Sequence, residues 1–198
     1  MTKSQHFLKR TFDLVVALVG LIFLWWLILI VVIGARIDTG LSGIFKQKRV
    51  GRYGKIFTVY KVRSMRNLKN VTTTVTTDRD PRISKYGWFI RKAKLDELPQ
   101  LINIVKGDMS FVGPRPDVPG FADKLEGDDR VILSIRPGIT GPATLMFKNE
   151  EEILASQESP EEYNRTVIWP AKVQKNKEYI ENYSIAKDIK YIWQTVFK

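Results

Sequence analysis

From Leu14 to Ala35 the chain reads LVVALVGLIFLWWLILIVVIGA, 22 residues without a charge. As one helix this run reaches about 33 Å, enough for a hydrocarbon core of roughly 30 Å. A cleaved signal peptide has a shorter apolar region and a small-residue cleavage site, and here basic residues follow instead. The run is therefore expected to be a membrane segment. Lys3, Lys9 and Arg10 precede it, and Arg36, Lys46, Lys48, Arg49, Arg52 and Lys55 follow. Positive flanks stay on the cytoplasmic side. A straight span strands one of these two flanks outside, whereas a helix that enters and turns back satisfies both. A re-entrant helix is the expectation, and either topology leaves the rest of the chain in the cytoplasm.

The remainder fits one catalytic unit, since 198 residues suit a single ordinary domain. The net charge of +11 is concentrated early, because residues 1–70 hold 13 Lys and Arg against Asp13 and Asp38. Beside an apolar run such an excess points to an anionic lipid surface, and the charge-balanced remainder argues against nucleic acid. Without cysteine there is no disulfide framework, thiolate metal site or cysteine nucleophile. The runs GIFKQKRV and KIFTVYKV, rich in β-branched and aromatic residues and separated by GRYG, predict a β-hairpin. Residues 68–80, with VTTTVTTDRD, predict an exposed loop.

In KLDELPQLINIVKGDMS, Leu98, Leu101, Ile102 and Val105 repeat at helical spacing, leaving Asp96, Gln100 and Asn103 on the opposite face. Pro99 is tolerated in a first turn, which places Asp96 and Glu97 at the helix start, where unpaired N–H groups favour anions. FVGPRPDVPG is too rich in proline and glycine for a helix or strand, and Arg115 between two prolines has a restricted backbone suited to holding a guanidinium against a phosphate. SIRPGITGPA reads as a second such turn, carrying Arg136. In the tail, Ile185, Ile189, Ile192 and Val196 share a helical face that suits either a membrane interface or the core. The only histidine, His6, precedes the apolar run, so acid–base work falls to carboxylates. An Asp-Glu pair at a helix start is otherwise ordinary capping, and the Walker, dinucleotide and His-Glu zinc motifs are absent.

KRTFDLVVALVGL, FKQKRVGRYGKIFTVYKVRSM, DPRISKYGWFIRKAKLDELPQLINIVKGDMSFVGPRP and RPGITGPA together resemble the bacterial sugar transferases, the small monotopic phosphoglycosyl transferases that initiate glycan assembly. The resemblance implies that Asp96 attacks the β-phosphorus of a UDP-sugar, releasing UMP, and that polyprenyl (undecaprenyl) phosphate then takes the phosphosugar. It implies Mg²⁺ contacted by Asp96, proton transfer or positioning by Glu97, and Arg91, Arg115 and Arg136 near the phosphates. Lys61 and Arg63 match the family's Lys-Phe-Arg-Ser motif, with Val62 for the phenylalanine. Three departures stand out: Trp25-Trp26 replace the family's helix-breaking Ser-Pro, no proline lies between Met1 and Met65, and TLMFKNEEEILA replaces a Gly-Arg-Asn stretch.

The expected architecture is α+β, with a basic-flanked re-entrant membrane helix over residues 1–40 and a helix-dominated cytoplasmic catalytic domain over 41–198 that carries a small β-hairpin and interfacial amphipathic helices. The expected location is the cytoplasmic face of a bacterial inner membrane. The expected partners are a UDP-sugar, polyprenyl phosphate and inner-leaflet anionic lipids, with a homodimer allowed and no nucleic acid. The sugar itself is not readable.

Overall fold

The computed structural model describes residues 1–67 and 80–197. The loop expected over 68–80 falls almost wholly outside them.

Helix α1 spans Lys3–Thr39 without interruption. Thr2 and Gln5 close a capping box at its start, and Gly40 ends it in the left-handed conformation at φ 69°. The break that re-entry requires is absent, since the helix continues through Gly20, Trp25 and Trp26. A kink needs a lost backbone hydrogen bond or a ring clash, and with no proline in the segment nothing supplies either. Instead α1 lies against the rest of the chain along one stripe: Lys9, Asp13 and Ala17, then Leu21, Leu24 and Leu27, then Val31 and Ala35. These positions recur every three or four residues, the period of one helical face.

Strands β1 (Ile44–Val50) and β2 (Ile56–Val62) form the expected antiparallel hairpin, with Ile44 opposite Val62 and Val50 opposite Ile56. Next come α2 (Lys85–Lys92), a 3₁₀ turn (Leu95–Glu97) and α3 (Gln100–Lys106). Two three-residue strands, β3 (Ser110–Val112) and β4 (Gly138–Thr140), pair in parallel. The pairing corrects the reading of SIRPGITGPA as a turn alone. Short helices α4 (Pro142–Met146), α5 (Glu150–Ala155) and α6 (Pro160–Tyr163) lead to α7 (Trp169–Glu181) and α8 (Ile185–Phe197).

The orientation of α3 departs from the expected polar-out reading. Asn103 is buried: its side chain accepts from the Tyr60 N–H at 3.1 Å and donates to the Thr58 carbonyl at 2.7 Å, fixing α3 to β2. Ile102 is exposed instead. A side-chain amide that replaces two ladder bonds is as well satisfied as a backbone group, so it can turn inward.

Both ends of α1 are tied to this body. Buried Lys9 meets Asp188 of α8 at 2.6 Å, and Arg10 donates to the Ile104 and Val105 carbonyls at 2.6 and 3.0 Å. At the far end Asp38 bonds Arg66 at 2.9 Å and also accepts from the Ser84 hydroxyl. The Tyr86 hydroxyl donates to the Val31 carbonyl at 2.9 Å, across a contact so close that a Cβ on Gly34 would collide with it.

Candidate active site

Asp96 and Glu97 sit in the 3₁₀ turn that precedes α3, with Pro99 at the helix N-cap. Lys94 enters this turn with φ 54°, a left-handed conformation that costs a side-chain-bearing residue about 1 kcal/mol or more and that aims the two carboxylates. Glu97 is clamped: its Oε1 accepts from Arg115 Nη2 at 2.6 Å and from Lys61 Nζ at 3.3 Å. Lys61 comes from β2 and Arg115 from the Pro-rich loop after β3, so three separate elements meet at one carboxylate. Burial alone would raise the Glu97 carboxyl, but Arg115 and Lys61 outweigh it and hold it at about 2. Glu97 in turn raises the Arg115 guanidinium.

Asp96 is handled differently. It is 7% exposed, yet its carboxylate accepts no hydrogen bond among the described residues. Burial and then the charge of Glu97 push its carboxyl up, against the pull of Lys61, Arg91 and Arg115. A buried carboxylate without donors has its lone pairs free for a metal or an electrophile. Among the described residues no group of three or more His, Cys, Asp or Glu side chains is arranged for a metal. Mg²⁺ commonly takes one or two carboxylates plus substrate phosphates, and Asp96 is the carboxylate here with lone pairs not engaged by a described residue.

Sequence reading placed five cations here, and the structure brings three of them together: Lys61, Arg91 and Arg115. Arg91, at the end of α2, pairs with Glu151 of α5 and sits near enough to Asp96 to lower its carboxyl. Arg63 instead donates to the Ser42 carbonyl at 2.7 Å and lies over Phe45, at the α1–β1 junction. Arg136 donates to the Gly107 carbonyl at 2.8 Å, at the opposite end of α3 from the dyad, among Arg10 and Arg52.

Several residues were missed. Lys172 of α7 donates to both oxygens of Glu150 at 2.7 and 2.6 Å. Asp117, just after Pro116, is pushed up to about 6 by burial despite Lys172, Arg49 and Arg115 nearby. Arg49 is lowered to about 10, first by burial and then by Arg115, and donates to the Pro116 carbonyl at 3.1 Å. The only prior signal was the departing segment FKNEEEILA, whose glutamates open α5 and bracket the site. The cations whose charge bears on Asp96 are Lys61, Arg91 and Arg115, groups suited to phosphate oxygens.

The family model described as bacterial sugar transferase matches residues 4–198. The chain is 35% identical to the UDP-galactose-lipid carrier transferase of Erwinia amylovora over 98% of its own length and 40% of that protein's. It is 34% identical to the UDP-glucose:undecaprenyl-phosphate glucose-1-phosphate transferase of Escherichia coli, again covering 98% of this chain and 40% of the relative. The sugar transferase EpsL of Bacillus subtilis is 34% identical and is covered over 86% of its length. The chain thus spans about two fifths of the length of the first two relatives.

Proposed function

Because this chain belongs to the bacterial sugar transferase family, we propose that it moves a sugar phosphate from a UDP-sugar to polyprenyl phosphate, through an aspartyl phosphosugar, as the first membrane step of a glycan. The observation that carries the reading is the contrast within the dyad: Glu97 is bound by two cations, whereas Asp96 is buried with no donor among the described residues. In the first step an Asp96 Oδ attacks the β-phosphorus. The bond from that phosphorus to the bridging oxygen breaks, and UMP leaves with the oxygen. In the second a lipid phosphate oxygen attacks the same phosphorus and the Asp96–phosphorus bond breaks, returning the carboxylate. A covalent carboxylate intermediate splits one difficult displacement into two easier ones.

Arg115 and Lys61, held in place by Glu97, would receive the charge that develops on the phosphoryl oxygens, and Arg91 would add a third contact. Mg²⁺, held by Asp96 and donor phosphate oxygens, would neutralise diphosphate charge. Glu97, ionised at every physiological pH, suits positioning of these cations better than proton transfer. Membrane placement follows the same logic: α1 and α8 expose Phe7, Ile22, Trp25, Ile189, Trp193 and Phe197, and the basic first third would face anionic lipids of a cytoplasmic inner leaflet.

The test is UMP release by purified protein with Mg²⁺, undecaprenyl phosphate and a panel of UDP-sugars, wild type against Asp96→Asn. Release with one donor, lost in the variant and on chelation, is the expected outcome. Silence across the panel from folded protein would overturn the reading.

A further inference from the structure

The C-terminal end of α3 gathers guanidiniums from three different elements. Arg10 of α1 donates through Nη1 to the Ile104 carbonyl at 2.6 Å and through Nη2 to the Val105 carbonyl at 3.0 Å. Arg136, just before β4, donates through Nε to the Gly107 carbonyl at 2.8 Å, and a Cβ on Gly107 would stand 3.5 Å from Arg10 Nη2. Arg52, in the turn between β1 and β2, donates through Nε to the carbonyl of Ser134, two residues before Arg136, at 2.8 Å. The same turn holds Tyr53 left-handed at φ 59° and lays its ring 4.5 Å from the Arg52 guanidinium. The closeness shows electrostatically: after burial, Arg10 and Arg52 are the charges that lower the Arg136 guanidinium most. Every hydrogen-bond partner here is a neutral carbonyl, and the negative end of a helix dipole offers only about half a charge. Among the described residues none of the three guanidiniums pairs with a carboxylate. Asp13, whose charge does bear on Arg136, is buried and taken up by the Ser110 hydroxyl and the Phe111 N–H. Each guanidinium carries more N–H groups than these bonds use, and all three residues are half-buried.

We propose that Arg10, Arg52 and Arg136 form a phosphate-binding site at the C-terminal end of α3, separate from the dyad. The seven residues of α3, about 10 Å of helix, lie between this site and Asp96 and Glu97 at its other end. The inference goes beyond the proposed reaction and uses none of the residues assigned to it. Like charges held together without a carboxylate repel one another, and an oxyanion seated among them removes that cost. All three cations are arginines, whose planar forks match the oxygens of a phosphate in a way that an ammonium cannot. An anion there would bridge α1, the hairpin turn and the segment entering β4. A lipid headgroup and a free phosphate offer the same oxygens, and the test separates these two carriers.

His6, the only histidine of the chain, reports on this site. Its imidazole is lowered first by burial and then by Arg52, the amino terminus, Arg136 and Lys9, so an anion among the arginines must raise it. Untagged protein with isotope-labelled histidine is titrated by NMR in maltoside micelles under three conditions: chloride alone, inorganic phosphate at the same ionic strength, and phosphatidylglycerol added to the micelles. The expected result is a His6 pKa higher than in chloride by about 0.3 or more, the effect of one unit charge about 10 Å away in water, saturating as phosphate or lipid is increased. Arg52→Gln should start from a higher His6 value and lose most of the response, and Arg136→Gln should do the same if the first variant does not fold. A response to inorganic phosphate alone supports a site for free phosphate, a response to phosphatidylglycerol alone a site for a headgroup, and a response to each a site open to both carriers. Equal His6 values in all three media would overturn the site, as would a response that the arginine variants leave unchanged. UMP release does not enter this readout, so the site and the proposed reaction fail separately.

Discussion

Removing the Lys9 ammonium should loosen α1 from the domain more than any other single change on its inner stripe. Lys9 and Asp188 meet at 2.6 Å with side chains 6% and 1% exposed, so neither charge can recover its hydration in place. Breaking such a pair by deleting one member typically costs about 3–5 kcal/mol, because the survivor is left buried and uncompensated. In Lys9→Met the surviving Asp188 keeps the Tyr179 hydroxyl as a donor at 2.6 Å, which places the cost at the lower end, about 3 kcal/mol. For a chain of this size each kcal/mol shifts Tm by about 2–4 °C, so a fall of roughly 6–12 °C is expected. The five tryptophans provide the fluorescence signal for melts in detergent. The double variant Lys9→Met/Asp188→Leu should recover at least a third of the loss, leaving about 1–2 kcal/mol for the unpaired Tyr179 hydroxyl. A single variant within 2 °C or so of wild type, or a double variant no better than the single, would refute the reasoning.

Two further outcomes follow from the site. Asp117, raised to about 6, is easier to protonate folded than unfolded, so it contributes stability at pH below its unfolded value and loses it as pH rises through about 6. Asp117→Asn should therefore stabilise the fold more at pH 8 than at pH 5, the difference being at most about 1.5 kcal/mol before solvent screening, and equal Tm shifts at both pH values would contradict this. Glu151→Gln removes the anion that competes with donor phosphate for Arg91, so KM for the UDP-sugar should fall by roughly 1.5- to 5-fold, the worth of a part-exposed ion pair; a rise in KM would show that Glu151 holds Arg91 in place instead.

The hairpin and the dyad at the start of α3 were legible because period, turn residues and Pro99 all act locally. Lys61 and Arg115 were found through motif resemblance, and the structure adds the reason they belong together, a shared Glu97. Where Arg136 lies was not legible, because a residue's position in a Pro-Gly turn says nothing of which way its side chain runs, and it donates to the Gly107 carbonyl at the far end of α3. The β3–β4 pairing escaped because three residues cannot display a period of two. Asn103 was assigned outward because an amide looks like a surface residue until its two backbone partners on β2 are known. Lys172, Glu150 and Glu151 reach the site only through the packing of α5 and α7, a long-range fact that no local window contains. The missing proline was visible from the start, and the unbroken α1 is its physical consequence.

The measurement that bears most directly on the central claim is the mass of the peptide containing Asp96 after protein, Mg²⁺ and the active UDP-sugar are mixed without acceptor and quenched in cold acid. The account predicts the added mass of one phosphosugar on that peptide, stoichiometric with UMP released and discharged when undecaprenyl phosphate is added before the quench. An adduct on another residue, or UMP release that strictly requires acceptor and leaves the peptide unmodified, would contradict it.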